Sequence, residues 1–120
     1  MILKLDTANR EKIYLALFGG KKEKCFEFPT EDQSADLLVT IKEILDKENL
    51  TLQNLKAILV NCGPGSFTGV RVGVTVANTL AWTLDIPIFG FKDGEQDKVL
   101  TKISKNRQNK FSKIVLPFYS

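Results

Sequence analysis

The chain has 120 residues with a net charge of +3, and its 43% hydrophobic content can bury one core but not two lobes of ordinary size. The absence of histidine excludes Ser-His-Asp and Cys-His catalysis and histidine-ligated metal sites within the chain. Charged residues from Lys4 onward come too early for a signal peptide, and no apolar run approaches the roughly 20 residues that span a bilayer. We therefore expect one small cytoplasmic domain without a membrane segment.

The first third of the chain predicts a meander of strands. Residues 2–8, 12–18 and 22–28 have the composition of strands. They are separated by two turn-like segments, residues 9–10 and 19–21. Because these connections are short, we expect adjacent antiparallel hairpins.

A helix is predicted after these strands. Thr30 and Gln33 have the spacing of a capping box, and the helix body extends to about Glu48. Its apolar residues fall on one arc at 3.6-residue periodicity. These residues are Leu37, Leu38, Ile41, Ile44 and Leu45. The pattern is typical of an amphipathic, half-exposed helix.

A glycine-rich turn then joins a buried strand, residues 56–60, to a second helix, residues 68–84. Three glycines in this turn allow positive φ angles, and one proline fixes its own φ. They are Gly63, Pro64, Gly65 and Gly69. At the carboxyl end of a strand in an open α/β sheet, such a turn and the following helix N-terminus could hold an anion. No Gly-Lys-Ser/Thr follows, so this is not a P-loop. The residues leave both a structural turn and a phosphate cradle open.

The second helix has two different faces. Small and apolar residues fill one broad arc, which we expect to pack on the sheet and the first helix. They are Gly69, Val70, Gly73, Val74, Val76, Ala77, Leu80, Ala81 and Leu84. Opposite lies a polar stripe that includes the chain's single tryptophan, and we predict a partner interface there, formed by Arg71, Thr75, Asn78 and Trp82. The alternative is a Trp82 covered by the chain's own C-terminal segment.

The two cysteines, Cys25 and Cys62, lie in or beside separate strands, without a second pair or metal-type spacing. We expect reduced, buried thiols rather than a disulfide or a zinc site. Neither cysteine is predicted to be catalytic, and no metal site is predicted.

The string Gly-Pro-Gly-Ser-Phe-Thr-Gly-Val-Arg-Val-Gly at residues 63–73, followed by a small-residue helix and by residues 86–91, closely resembles the TsaB (YeaZ) family. These Gcp-like, glycoprotease-related proteins belong to the actin-like ATPase and sugar-kinase superfamily. Residues 2–8 resemble the family's first strand, and the resemblance covers residues 1–91. It implies an α/β fold, a single ribonuclease-H-like lobe with a mixed five-stranded sheet in the order 3-2-1-4-5 and packed helices.

The resemblance also implies a function. Family members assist threonylcarbamoyl transfer to the adenosine beside the anticodon of certain tRNAs, as non-catalytic partners of TsaD. It implies TsaD as the partner, with a homodimer and a larger complex containing TsaE and tRNA as further assemblies. TsaD-like proteins present a pair of histidines to a metal, and this chain has no histidine, which favours the partner role.

In that superfamily, phosphate is contacted by the turn after the first strand, which here lacks the usual glycine. This weakens direct ATP binding and leaves Asp6 to cap its own turn. The phosphate-loop candidates are Asp6, Thr7, Gly63, Gly65, Ser66, Thr68 and Gly69, with Ser66 or Thr68 also able to cap the second helix. We expect no cofactor of the chain's own, and ATP or ADP only at a shared interface, because one lobe offers half of a cleft.

Residues 92–120 form a basic C-terminal extension, with seven cationic and three acidic residues. Residues 114–119 resemble a last strand or an apolar plug. We expect no second subdomain in these 120 residues, which fits either a naturally short form or a fragment. The cationic run over residues 98–113 is typical of a solvated segment but would also suit tRNA phosphates. Two alternatives to the partner role therefore remain: a kinase-like ATP-dependent enzyme, and a tRNA-binding module that uses this extension.

Overall fold

A computed structural model describes residues 1–19 and 22–92, which form one mixed sheet and two helices. The strands are β1 Ile2–Asp6, β2 Lys12–Gly19, β3 Lys22–Pro29, β4 Ala57–Asn61 and β5 Ile88–Phe91. The helices are α1 Gln33–Lys47 and α2 Phe67–Leu84, and a short 3-10 helix spans Leu52–Asn54. Neither helix in the described part of the chain is long and apolar enough to cross a membrane.

The strand order is β3-β2-β1-β4-β5, which confirms the prediction. β1, β2 and β3 form the expected antiparallel hairpins, whereas β4 and β5 run parallel to β1. Strands joined through a helix return to the same sheet in parallel, since the helix carries the chain back across one face. The carboxyl ends of β1 and β4 therefore lie side by side, and the glycine-rich turn meets the end of β1.

The main core lies between one face of the sheet and the two helices. Leu3 and Leu5 of β1 share this face with Ile58 and Val60 of β4, as the alternation of side chains along paired strands requires. α2 lies over β4 and β1, and α1 packs beside it over β2. The predicted inner arc of α2 is confirmed, with Val76 and Leu84 only partly buried at its margins.

The predicted capping box of α1 is wrong. The N-cap is Asp32, whose carboxylate accepts a hydrogen bond from the backbone N–H of Ala35 at 3.2 Å. Gln33 is the first helical residue and is buried rather than reaching back to a cap. Hydrogen bonds from the Ser34 hydroxyl and from Ala35 stabilise the charged form of Asp32 and lower the pKa of its carboxyl group.

Two further predictions for buried side chains are corrected. Leu38 is 54% exposed, although it lies on the apolar arc of α1. Cys25 is exposed, because it lies on the edge strand β3 and points away from the helices, whereas Cys62 is half-buried. Neither cysteine is in a disulfide bond. The pKa of the Cys25 thiol is raised, mainly by a hydrogen bond to Glu23, so a smaller fraction of this thiol is ionised.

We predict that the cap at Asp32 stabilises α1 only while its carboxyl group is ionised. Because folding lowers the pKa of this group, its contribution is complete above the ordinary value of 3.8 and is lost as the pH falls through the folded-state pKa. Asp32→Ala should therefore lower the Tm at pH 7 and much less at about pH 2. Thermal unfolding followed by circular dichroism measures both differences.

Ser66→Ala is the matched control, since Ser66 caps α2 with a hydroxyl group that does not titrate in this range. It should cost about 1 kcal/mol at either pH. If Asp32→Ala lowered the Tm by the same amount at both pH values, the assignment of the charged carboxylate as the cap would be contradicted.

Candidate functional site

The turn between β4 and α2 is fixed by the strand that precedes it. Gly63 has a φ of 105°, a conformation that favours glycine, and the Gly63–Pro64 peptide bond is cis. The side chain of Asn61, which is 1% exposed, accepts a hydrogen bond from the backbone N–H of Gly63 at 2.9 Å. Ser66 follows as the N-cap of α2, with its hydroxyl accepting from the Gly69 N–H. Of the two residues predicted to cap the second helix, Ser66 and Thr68, Ser66 is the N-cap in the structure.

The other glycines of the motif allow the turn and α2 to approach the end of β1. A Cβ atom on Gly65 would lie 2.7 Å from the Cβ of Ala8. On Gly69 it would lie 2.1 Å from the carbonyl oxygen of Thr7, and on Gly73 it would lie 2.4 Å from the Thr7 hydroxyl. All three separations are shorter than real Cβ contacts allow, so a side chain at any of these positions would displace its neighbour. Three glycines of the motif thus have a packing function within the chain.

Thr7 is the residue against which α2 packs. It is 1% exposed, and its hydroxyl donates a hydrogen bond to the carbonyl oxygen of Gly69. Its own carbonyl oxygen accepts from the side-chain amide of Gln33 at 3.1 Å. The end of β1 is therefore bonded to both helices.

Gln33 was missed by the sequence analysis, which assigned it to a cap. Its Nε2 atom donates to the carbonyl oxygens of Thr7, Asn9 and Lys12 at distances between 2.8 and 3.1 Å. A buried amide satisfied in this way fastens the start of α1 to the turn between β1 and β2. The available signal was its position four residues before Leu37, on the buried side of the helix.

The structure brings together only some of the predicted phosphate-loop residues. Thr7 and Gly69 are in contact, and a carboxylate oxygen of Asp6 accepts from the Ala8 N–H at 3.0 Å, as expected for a residue that caps its own turn. Thr68 is exposed on the first turn of α2. Phosphate binding by this loop stays a prediction. Among the described residues, no group of three or more cysteine, aspartate or glutamate side chains could hold a metal ion.

The outer face of α2 presents the predicted partner residues. Arg71, Thr75 and Trp82 are exposed, with Trp82 at 77%, and Asn78 is half-buried. The structure adds Phe67, which is 55% exposed and lies under the guanidinium group of Arg71 at 5.5 Å from the ring centroid. Phe67 was missed because the helix was predicted to begin one residue later. Its position four residues before Arg71 is the signal that could have found it.

A groove of about 350 Å³ runs along this face towards α1. Its described lining residues are mostly apolar or hydroxyl-bearing, and Arg71 is the one charged residue among them. They are Ser34, Phe67, Thr68, Arg71, Val72, Thr75 and Val76. We call this groove, together with Asn78 and Trp82, the α2 face. The alternative that residues 92–120 cover Trp82 and the predicted tRNA contact at residues 98–113 both lie almost entirely outside the described residues.

The sheet order and the two helices on one face define an α/β lobe of the actin-like ATPase type. YeaZ from Pseudomonas aeruginosa superposes with a TM-score of 0.73 at 26% identity, over 88% of this chain and 50% of that one. A second structure, an uncharacterized protein with similarity to peptidase YEAZ from the same organism, gives a TM-score of 0.72 at 26% identity, over 88% of this chain and 48% of that one.

Sequence comparison identifies the family. Residues 29–96 match the family model described as TsaD, tRNA N6-adenosine threonylcarbamoyltransferase. The tRNA threonylcarbamoyladenosine biosynthesis protein TsaB of Bacillus subtilis is 37% identical, over 72% of this chain and 38% of its own length. The protein of the same name from Escherichia coli is 34% identical, over 74% of this chain and 38% of its own length. The chain belongs to the TsaB/YeaZ family, and it spans under two-fifths of the length of these two curated relatives.

We predict that the Thr7–Gly73 contact limits how α2 packs. Gly73→Ala should gain about 1 kcal/mol of helix propensity but lose about 1–3 kcal/mol to overpacking against the Thr7 hydroxyl. The variant should therefore be less stable than wild type. Thr7→Ala removes the hydroxyl group that a Cβ atom at position 73 would meet. In that background Gly73→Ala should therefore raise the free energy of unfolding. Urea unfolding of the two single variants and the double variant measures this coupling.

Thr83→Ala, at an exposed position of the same helix, controls for propensity alone. Additive effects of Thr7→Ala and Gly73→Ala would show that the close approach does not limit the packing of α2.

Proposed function

We propose that the chain is a non-catalytic partner subunit in tRNA threonylcarbamoyladenosine biosynthesis and that it binds a TsaD protein through the α2 face. Family membership supports the pathway, since the relatives from Bacillus subtilis, Haemophilus influenzae and Escherichia coli are named as TsaB proteins of that biosynthesis. The matching family model, named for the threonylcarbamoyltransferase TsaD, supports a common fold for the two partners. Two related lobes of this kind can associate through equivalent helices.

The observation that carries the proposal is the exposure of Trp82 and Phe67 on one helix. Aromatic side chains and arginine dominate the energetics of protein interfaces, and Trp82 leaves 77% of its surface in water. Burying such a ring against a partner would contribute about 25 cal/mol for each Å² of apolar surface. Arg71, stacked on Phe67, adds a cation beside these rings and can pair with a carboxylate of the partner.

We propose an architectural role, because two of the phosphate-loop candidates, Asp6 and Thr7, make hydrogen bonds within the chain. Thr7 donates to Gly69, and Asp6 accepts from its own turn. These bonds hold α2 in place and so orient the α2 face. Substitutions on that face should accordingly affect assembly more than folding.

A homodimer would use the same face, because two copies can bury Trp82 against each other around a two-fold axis. We propose the complex with TsaD as the functional assembly. The homodimer would be the form of the chain when TsaD is absent. The two assemblies would compete, so added TsaD should convert homodimer to heterodimer. Light scattering distinguishes them by mass.

The test combines Arg71→Glu with Trp82→Ala. The double variant should lose at least about 100-fold in affinity for the TsaD homologue of the same genome, since it removes a central aromatic anchor and reverses the adjacent charge. Size-exclusion chromatography with light scattering reports the complex, and isothermal calorimetry reports the affinity. Its Tm should stay close to that of wild type, because both residues are exposed.

Lys22→Glu is the matched control, a charge reversal at an exposed residue of the edge strand β3, far from α2. It should leave the affinity unchanged. Undiminished binding by the double variant would remove the α2 face from the proposal, and failure of the wild-type chain to bind TsaD would remove the partner role itself.

The single tryptophan offers a direct probe of the interface. Incorporation of 5-fluorotryptophan places one fluorine label in this chain, at Trp82. Its ¹⁹F resonance should shift and broaden on titration with unlabelled TsaD, as the ring leaves water. A resonance that stays unchanged while a complex forms would place the contact elsewhere on the chain.

A further inference from the structure

A polar pocket of about 260 Å³ lies between the starts of the two helices. It shares Ser34, Thr68 and Val72 with the groove of the α2 face, so the two spaces adjoin each other. We call it the α1–α2 pocket. Its further lining residues are Arg10, Glu31, Asp32 and Gln33.

One buried acceptor in this pocket has no donor. Gln33 is 7% exposed, and three carbonyl oxygens within 3.1 Å identify its Nε2 atom, because an oxygen atom could not approach them so closely. No hydrogen bond within the described part of the chain ends on the other atom of this amide, Oε1. Gly69 leaves space beside Oε1, since a Cβ atom there would lie 2.9 Å from it. Buried acceptors are normally hydrogen-bonded, so we expect the donor to come from the pocket.

The rest of the pocket also has more acceptors than donors. Glu31 is exposed and forms no ion pair with the described residues. The Asp32 carboxylate accepts from the Ser34 hydroxyl and from a backbone N–H of α1, and a carboxylate has about four acceptor positions. The donors beside them are Arg10 and the hydroxyl of Thr68. Arg10 and the positive helix ends offset much of the acidic charge, so hydrogen bonding selects the ligand more than net charge does.

We propose that the α1–α2 pocket binds the guanidinium group of an arginine that belongs to the partner on the α2 face. A guanidinium group carries several N–H donors and no acceptor, which complements a pocket with an excess of acceptors. Val72 and Val76 in the adjoining groove can contact the aliphatic part of such a side chain. The source of the arginine rests on the proposed function, because the pocket adjoins the face where the partner would lie.

An arginine at this position would also set the orientation of the partner. The groove contains the cation Arg71, whereas the adjoining pocket contains the carboxylates of Glu31 and Asp32. A partner bound along both would present a carboxylate to Arg71 and its arginine to the pocket. The reversed orientation would bring like charges together, which disfavours it.

The pocket is tested first in the full chain alone, by NMR. The ¹⁵N-labelled protein is titrated with n-butylguanidinium, and with butyramide and butyrate as neutral and anionic compounds of similar size. The guanidinium compound should cause saturable shifts, at about millimolar concentration, of the side-chain NH2 pair of Gln33 and of the backbone amides of Ser34 and Thr68. The amide of Leu15, in β2, should not move, which controls for general effects of the additive.

A matched pair of variants locates the binding. Glu31→Gln should weaken the binding of n-butylguanidinium at least about 3-fold, since it removes one exposed carboxylate from the pocket. Glu43→Gln, at an exposed position farther along α1, should leave it unchanged. Equal or larger shifts with butyramide or butyrate would overturn the assignment of a guanidinium group. The absence of saturable shifts would show a pocket that holds water only and would also overturn it.

The complex tests the source of the arginine. Glu31→Lys should lower the affinity for the TsaD homologue at least about 10-fold, because it places a cation where the partner's arginine would bind. Glu43→Lys is the control and should bind as wild type does. Undiminished affinity of the Glu31→Lys variant would overturn the assignment to an arginine of the partner. A wild-type chain that bound n-butylguanidinium but not TsaD would remove the proposed function and leave the guanidinium site in place.

Discussion

Thr7, directly after β1, makes the contacts on which the arrangement of both helices depends. Its hydroxyl bonds to the backbone of α2, and its carbonyl oxygen accepts from Gln33 at the start of α1. Both groups are buried, so each lost bond would leave an unsatisfied polar atom away from water, at about 1–3 kcal/mol. The same residue also sets how near α2 can come, because Gly69 and Gly73 face it without room for a Cβ atom.

This contact changes the interpretation of the glycine-rich motif. Read as a sequence, a glycine-rich turn that leads into a helix is equally typical of a phosphate cradle and of a tight structural turn. In the structure, Gly65, Gly69 and Gly73 face Ala8 and Thr7 across distances that leave no room for a side chain. The motif therefore specifies the position of α2 on the sheet, and through it the direction in which Arg71 and Trp82 point.

The sequence was sufficient for the antiparallel hairpins and the inner arc of α2, which follow from short connections and from periodicity, whereas the strand order was implied by the family resemblance. It was insufficient where a polar residue is buried by contacts distant along the chain. Gln33 has the spacing of a capping residue, yet it bonds to carbonyl groups more than 20 residues away. Phe67 and Leu38 show the same limit for apolar residues, because their exposure depends on tertiary packing that the sequence pattern does not specify.

The two faces of α2 differ in burial and in what they contact. Gly69 and Gly73 on the inner face pack closely beside Thr7, while Arg71, Thr75 and Trp82 on the outer face are exposed. Trp82 leaves 77% of its surface in water, and this exposure supports the proposed partner interface. The close packing of the inner face therefore fixes the direction of the outer residues through which we propose that a partner binds.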